Sequence, residues 1–147
     1  MFCGKKNTIF LALFLLLLFK EWAVHTWISQ GVPKEKLILG LAFYGRSFKL
    51  HAGFESCPIT ETPAMDGAAA GDYTREKGFL AYYEICEKLQ VKNWRYVWNE
   101  EQQVPYAHSN EASTHGSLEW IGFDDVESIG IKVKYLMDKG LGGAMIW

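Results

Sequence analysis

The sequence lacks the features that mark a small domain held together by disulfides or metal. Cysteine occurs only at Cys3, Cys57 and Cys86, and an odd number does not fit a self-contained disulfide framework. The four histidines, His25, His51, His108 and His115, are scattered. Without the close ligand spacing of a zinc site they read as surface or structural residues, and no metal is expected. Neither sign of charge dominates: the formal net charge is -2 with acidic and basic residues mixed. The basic stripe of a nucleic-acid binder is missing, which argues against nucleic acid as a main partner. No internal repeat is visible. The longest apolar run, residues 9–19, falls short of the roughly 20 residues that a membrane-spanning helix needs.

What is present is enough apolar material for one domain. The chain has 147 residues and is 49% hydrophobic and 15% aromatic, which excludes compositional disorder. Six tryptophans, seven tyrosines and nine phenylalanines could fill a core, or could present faces on which flat ligands stack. Composition does not choose between the two.

At the N-terminus, Lys5 and Lys6 precede the apolar run and Lys20 and Glu21 close it. A basic region followed by an apolar stretch of this length reads as a secretory signal. The expectation is therefore a signal-like or anchor-like segment over residues 1–22 and a secreted product. Lys20-Glu21-Trp22-Ala23 is a poor cleavage site, so an uncleaved, membrane-anchored form stays open. So do a buried helix and an appended sequence. A membrane is a partner only if the segment is retained.

Further along, residues 37–43 form a short continuous apolar run after a Gly31-Val32-Pro33 turn, the pattern of a strand buried on both faces of a parallel sheet. Residues 124–139 predict a helix, with Val126, Ile129, Gly130, Val133, Leu136 and Met137 at spacings of three and four. Asp124 is the expected N-cap with Glu127 three residues on. Gly140 is the expected left-handed stop. A second buried run, residues 143–147, follows. This order predicts a right-handed βαβ unit with a greatly enlarged loop after its first strand. Within the excursion, Thr74 is the expected cap of a helix through Leu89 with Phe79, Tyr82, Tyr83 and Cys86 on one face. Trp94, Tyr96 and Trp98 alternate as in a half-buried antiparallel strand. Residues 104–108 and 118–123 are further strands, 99–101 a turn and 56–71 a loop.

Four of these stretches resemble glycoside hydrolase family 18, the chitinases and chitinase-like lectins. Leu37-Ile38-Leu39-Gly40 with Phe43-Tyr44-Gly45-Arg46-Ser47-Phe48 is similar to the seventh barrel strand of that family. Residues 78–86 resemble the helix of its α+β insertion domain, residues 120–128 the return to the barrel, and residues 140–147 strand eight. The resemblance runs from about residue 23 to 147. It implies an α/β fold class: a partial (β/α)8 TIM barrel, about its last two strands, over residues 23–47 and 119–147. The chitinase insertion domain is expected over residues 48–118. Sites in such barrels lie at the C-terminal ends of the strands, where the pattern puts Tyr44, Arg46 and Trp147.

The resemblance also implies chemistry. Family 18 enzymes cleave β-1,4-linked N-acetylglucosamine polymers, with the substrate's own acetamido oxygen as nucleophile and a glutamic acid as proton donor. That acid lies in an Asp-x-x-Asp-x-Asp-x-Glu motif, and the spacing is absent from this sequence. Asp124-Asp125 opens a helix, where carboxylates stabilise the terminus, and is no substitute. No catalytic residue and no cofactor are expected. The expected ligand is chitin or a chitooligosaccharide, bound through Tyr44, Arg46, Glu76, Phe79 and Trp147. Trp147 would be the floor under the reacting sugar, Tyr44 a wall, Arg46 a hydrogen-bond donor, Glu76 a sugar-facing carboxylate and Phe79 an apolar contact. Each has a plainer reading: a barrel-core Trp147, a buried ion-paired Arg46, a packing Tyr44, a first-turn helix charge at Glu76, an insertion-core Phe79. Cys86 pairs in relatives beyond strand eight, so a free thiol is expected here. The expected function is that of an inactive part of a chitinase domain. The alternatives are a non-catalytic chitin-binding, lectin-like protein and a membrane-anchored structural protein.

Overall fold

The computed structural model describes residues 21–51, 59, 62–112 and 117–147. Residues 1–20 lie outside this set, so most of the signal-like segment does too, as do Cys3, Cys57 and His115. Residues 21–29 are helical and are termed α1. A 3-10 turn at Lys34–Lys36 leads into β1, Ile38–Leu41. There follow β2, Tyr44–Leu50, β3, Ala64–Gly67, β4, Phe79–Ala81, and α2, Tyr82–Gln90. The chain continues through β5, Trp94–Asn99, β6, Val104–Ser109, and β7, Glu119–Phe123. It closes with α3, Val126–Lys139, and β8, Gly143–Ile146. Among the described residues no helix is long and apolar enough to cross a membrane.

The strands form two sheets. β1 and β8 pair in parallel, Ile38 opposite Gly143 and Leu41 opposite Ile146, and α3 packs against both. The second sheet is antiparallel in the order β3-β2-β7-β6-β5, with β4 also paired to β2. Its buried face and α2 enclose a core of Leu80, Ile85, Ala107, Ile121 and Phe123, with Tyr82, Leu89 and Trp94 at its edge.

Sheet membership differs from the sequence expectation at both seams. Residues 44–47 and 119–123, expected with the parallel layer, belong to the antiparallel sheet. The reason is a two-residue alternation that the apolar run conceals. Gly45 and Ser47 turn inward under α2, while Tyr44, Arg46 and Phe48 turn to the other face. A Cβ on Gly45 would lie 2.7 Å from Ile85 Cδ1 and 2.9 Å from the Gly122 carbonyl oxygen, so only glycine allows this approach.

Other expectations change as well. The helix expected from Thr74 begins only at Tyr82, because residues 79–81 pair with β2 first. β3 occupies part of the stretch expected to be loop. In α3 the N-cap is Asp125, not Asp124. Its carboxylate accepts from the Ser128 amide at 2.9 Å, and the Ser128 hydroxyl accepts from the Asp125 amide at 2.9 Å. Ser128 thus takes the role expected of Glu127. Asp124 is buried, accepts from the Ser128 hydroxyl at 2.8 Å and pairs with Lys132. The α3 face also differs: Leu136 and Ser128 are buried, whereas Val126 and Met137 are exposed. Gly140 stops the helix with φ +67 as expected. The parallel strands, expected to be buried on both faces, leave Ile38, Met145 and Ile146 exposed, because α3 covers the pair only in part.

Candidate functional site

Four of the five expected site residues come together where β2 leaves the parallel pair. Tyr44 and Arg46 are two apart on β2, so both project from the face opposite α2. Phe79 is opposite Arg46 across the β2–β4 ladder. Its ring lies 5.0 Å from that of Tyr44, tilted by 32°. The Arg46 guanidinium sits over both rings, 5.0 Å from the Phe79 centroid and 5.6 Å from that of Tyr44. Its Nη1 reaches Glu76 Oε1 at 3.5 Å. The result is a small platform of two rings, a cation and a carboxylate.

Arg46, Glu76 and Phe79 depart from their plainer readings, while Tyr44 packs on Phe79 as its plainer reading has it. Arg46 is not buried: its side chain is 56% exposed and that of Glu76 63%. A pair this exposed contributes little to stability. Glu76 stands in the loop before β4, away from the first turn of α2. Phe79 is half-buried and packs on Tyr44, on the side of β4 opposite the core residue Leu80.

Trp147 is placed by its backbone. Its amide donates to the Leu41 carbonyl at 2.8 Å and its carbonyl accepts from the Phe43 amide at 3.2 Å. It therefore extends the β1–β8 ladder to the residue before Tyr44. Trp147 as a residue is 71% exposed. Cys86 forms no disulfide.

Sequence reasoning missed Glu84. This carboxylate is 4% exposed yet has no cationic partner among the described residues. Instead Oε1 accepts from the amides of Tyr73 at 2.8 Å and Thr74 at 3.1 Å. Oε2 accepts from the Thr74 hydroxyl at 2.8 Å and the Ala81 amide at 2.9 Å. Burial pushes the carboxyl upward, but these four donors outweigh it and hold Glu84 at about 2. Thr74, expected as a helix cap, is thus a partner of Glu84. A carboxylate at the fourth position of Ala81-Tyr82-Tyr83-Glu84 was a legible cue, hidden by the expected earlier start of the helix.

On the far side of the core, Tyr96 donates to Asp125 Oδ2 at 2.9 Å. Burial first, then this bond and the negative charge behind it, push the Tyr96 phenol far up. The contact ties β5 to the N-terminus of α3. No group of three or more metal-ligating side chains occurs among the described residues.

Residues 17–147 match the family model for glycosyl hydrolases family 18. Chitinase-3-like protein 2 of Homo sapiens is 44% identical over 127 residues, which is 86% of this chain and 30% of that protein. Chitotriosidase-1 of Mus musculus is 44% identical over 126 residues, 85% of this chain and 24% of that protein. The chain thus spans less than a third of the length of these relatives. Among solved structures, human YKL-39, described as a pseudo-chitinase with retained chitooligosaccharide binding properties, superposes with a TM-score of 0.72. It is 42% identical, over 86% of this chain and 32% of that one.

Proposed function

Because the chain belongs to glycosyl hydrolase family 18, we propose that it carries the sugar-contacting side of a chitin-binding cleft without the group that cleaves the polymer. In this reading β1, α3 and β8 are the last two strands of a TIM-type barrel with their connecting helix. The antiparallel sheet with α2 is the insertion domain that walls the groove. The observation that carries the reading is the Tyr44–Arg46–Glu76–Phe79 platform, with the exposed Trp147 bonded through its backbone to Phe43, the residue before Tyr44. Aromatic faces stack on the C–H faces of pyranose rings, and a guanidinium and a carboxylate supply the donors and acceptors that hydroxyl and acetamido groups need.

Catalysis is a different matter. The Asp-x-x-Asp-x-Asp-x-Glu spacing that would supply the proton donor is absent from these 147 residues. The buried Asp124 and the N-cap Asp125 are engaged with Ser128, Lys132 and Tyr96, so neither is available as a substitute. The parent reaction is hydrolysis of β-1,4-linked N-acetylglucosamine, and this chain alone binds without turning over. The retained sugar binding of the pseudo-chitinase YKL-39 supports a separation of binding from cleavage. It favours the lectin-like alternative over a purely structural role. The signal-like residues 5–19 point to secretion; comparing export from cells of the full chain and a chain lacking residues 1–22 tests this, and equal export would count against it.

Chitin beads provide the main test. The 147-residue chain should be retained, and Arg46→Ala and Trp147→Ala should each weaken retention roughly tenfold, the scale of a lost charge-assisted hydrogen bond or a lost aromatic contact. Equal retention of both variants and the parent would reject this site. A fluorogenic chitooligosaccharide should show no release above background, and measurable turnover would reject the claim of inactivity.

A further inference from the structure

The loop from Gly71 to Gly78 holds the platform's carboxylate, and little in its own sequence makes it rigid. It contains Arg75 at φ +52, a left-handed conformation that non-glycine residues seldom adopt. Within the loop the Arg75 amide donates to the Gly71 carbonyl at 3.1 Å, and its far end is held by the Phe79 amide on the Glu76 carbonyl at 3.3 Å, the Gly78 amide on Ala68 at 3.0 Å and the Ser47 amide on the Gly78 carbonyl at 3.1 Å. What fixes the near end of the loop, at Tyr73 and Thr74, is Glu84. One oxygen takes the amides of Tyr73 and Thr74, and the other takes the Thr74 hydroxyl and the amide of Ala81, at the end of β4. Loop, strand and helix therefore meet on one carboxylate. The fit is close, because a Cβ on Gly71 would fall 2.2 Å from Glu84 Oε1.

We infer that Glu84 is a positioning residue for sugar recognition: its carboxylate fixes the 71–78 loop so that Glu76 faces Arg46 over the Tyr44–Phe79 rings. The inference rests on the sugar-binding reading above. All four partners of Glu84 are donors, so both of its oxygens must accept. Glutamine has the same shape but turns an N–H group toward at least one backbone amide that can only donate, since among these partners only the Thr74 hydroxyl could accept instead. Glu84→Gln therefore opposes donor to donor and releases one end of the loop, while the apolar core around Ile121 is untouched. The role needs the ionised form; size alone does not satisfy it.

The experiment combines amide exchange with binding of tetra-N-acetylchitotetraose, using the full 147-residue chain. In Glu84→Gln, exchange at residues 71–79 should rise roughly tenfold or more while β7 stays protected, as expected for local release. Binding should weaken roughly tenfold. That loss should act through Glu76, so Glu84→Gln combined with Glu76→Gln should bind no more weakly than Glu76→Gln alone. A merely structural role would give losses that add, and additive losses overturn the inference. Unchanged exchange at 71–79 overturns it whether or not the parent chain binds the tetrasaccharide. Failure of the parent to bind is read separately and counts against the sugar-binding reading. Should Glu84→Gln not fold, Thr74→Val removes one donor only. The same pattern at smaller size supports the inference, and no change at 71–79 overturns it.

Discussion

The antiparallel sheet and the parallel pair treat the same kind of residue in opposite ways. In the first, Ile121 on β7 is fully buried beneath α2, among Leu80, Ile85 and Phe123. In the second, Ile146 on β8 is 71% exposed, with Met145 and Trp147 exposed beside it. Both isoleucines lie in paired strands, Ile121 between β2 and β6 and Ile146 beside β1. The difference is cover. The antiparallel strands alternate small or apolar residues inward, and α2, adjacent in sequence, closes over them. The parallel strands are apolar on both sides, and a single helix covers only part of them. An apolar run thus states a demand for burial, and whether it is met depends on which elements lie nearby.

Three substitutions or conditions sharpen this contrast. The largest effect is expected in the antiparallel core. Ile121→Ala removes buried methylenes from a packed site and should cost about 2–5 kcal/mol, measured as a lower denaturation midpoint. A loss below about 1 kcal/mol would mean that the core is not packed as described.

Acid should next separate the two regions. Glu84 holds its proton less readily in the folded chain, at about 2, than its ordinary value of 4.5. Its stabilisation is therefore complete above about pH 4.5 and is withdrawn as the pH falls toward 2. Protonation removes an acceptor that the 71–74 loop and Ala81 share. Amide exchange followed from pH 5 to pH 2.5 and corrected for intrinsic rates should accelerate at residues 71–81 before it does in β1 and β8. Simultaneous acceleration in both regions would remove the distinction.

The smallest effect is expected on the parallel pair. Ile146→Ala removes an exposed side chain and should change the unfolding free energy by no more than about 0.5 kcal/mol. It should instead raise solubility, because Ile146, Met145 and Trp147 form part of an exposed apolar surface of the kind that promotes association. A destabilisation comparable to that of Ile121→Ala would show that β8 is covered in solution, by another copy or another chain.

Much of the candidate site was legible in the sequence, but unevenly. Tyr44 and Arg46 stand in a motif of consecutive residues, and the motif carries them directly. Glu76 and Phe79 followed from resemblance, because nothing local says that a carboxylate 30 residues from Arg46 will meet it. Glu84 was missed because its partners, Tyr73 and Thr74, are eleven and ten residues away and Thr74 is the expected cap of a longer helix. In α3 the stop at Gly140 was legible, since left-handed backbone selects glycine locally. The cap was misread by one residue, since either aspartate could open the helix and only packing buries Asp124 against Lys132.

The sequence by itself determined several of the elements and the family: alternation at Trp94, Tyr96 and Trp98 gave a strand, spacing gave α3, and four ordered motifs gave the family. These are near-neighbour properties, fixed by backbone preference and by the period of apolar residues. The tertiary structure alone decided which sheet β2 and β7 join, which face Arg46 takes, and that one buried carboxylate ties the loop bearing Glu76. Each of those depends on groups far apart in the chain meeting within a few ångströms, which no local pattern encodes.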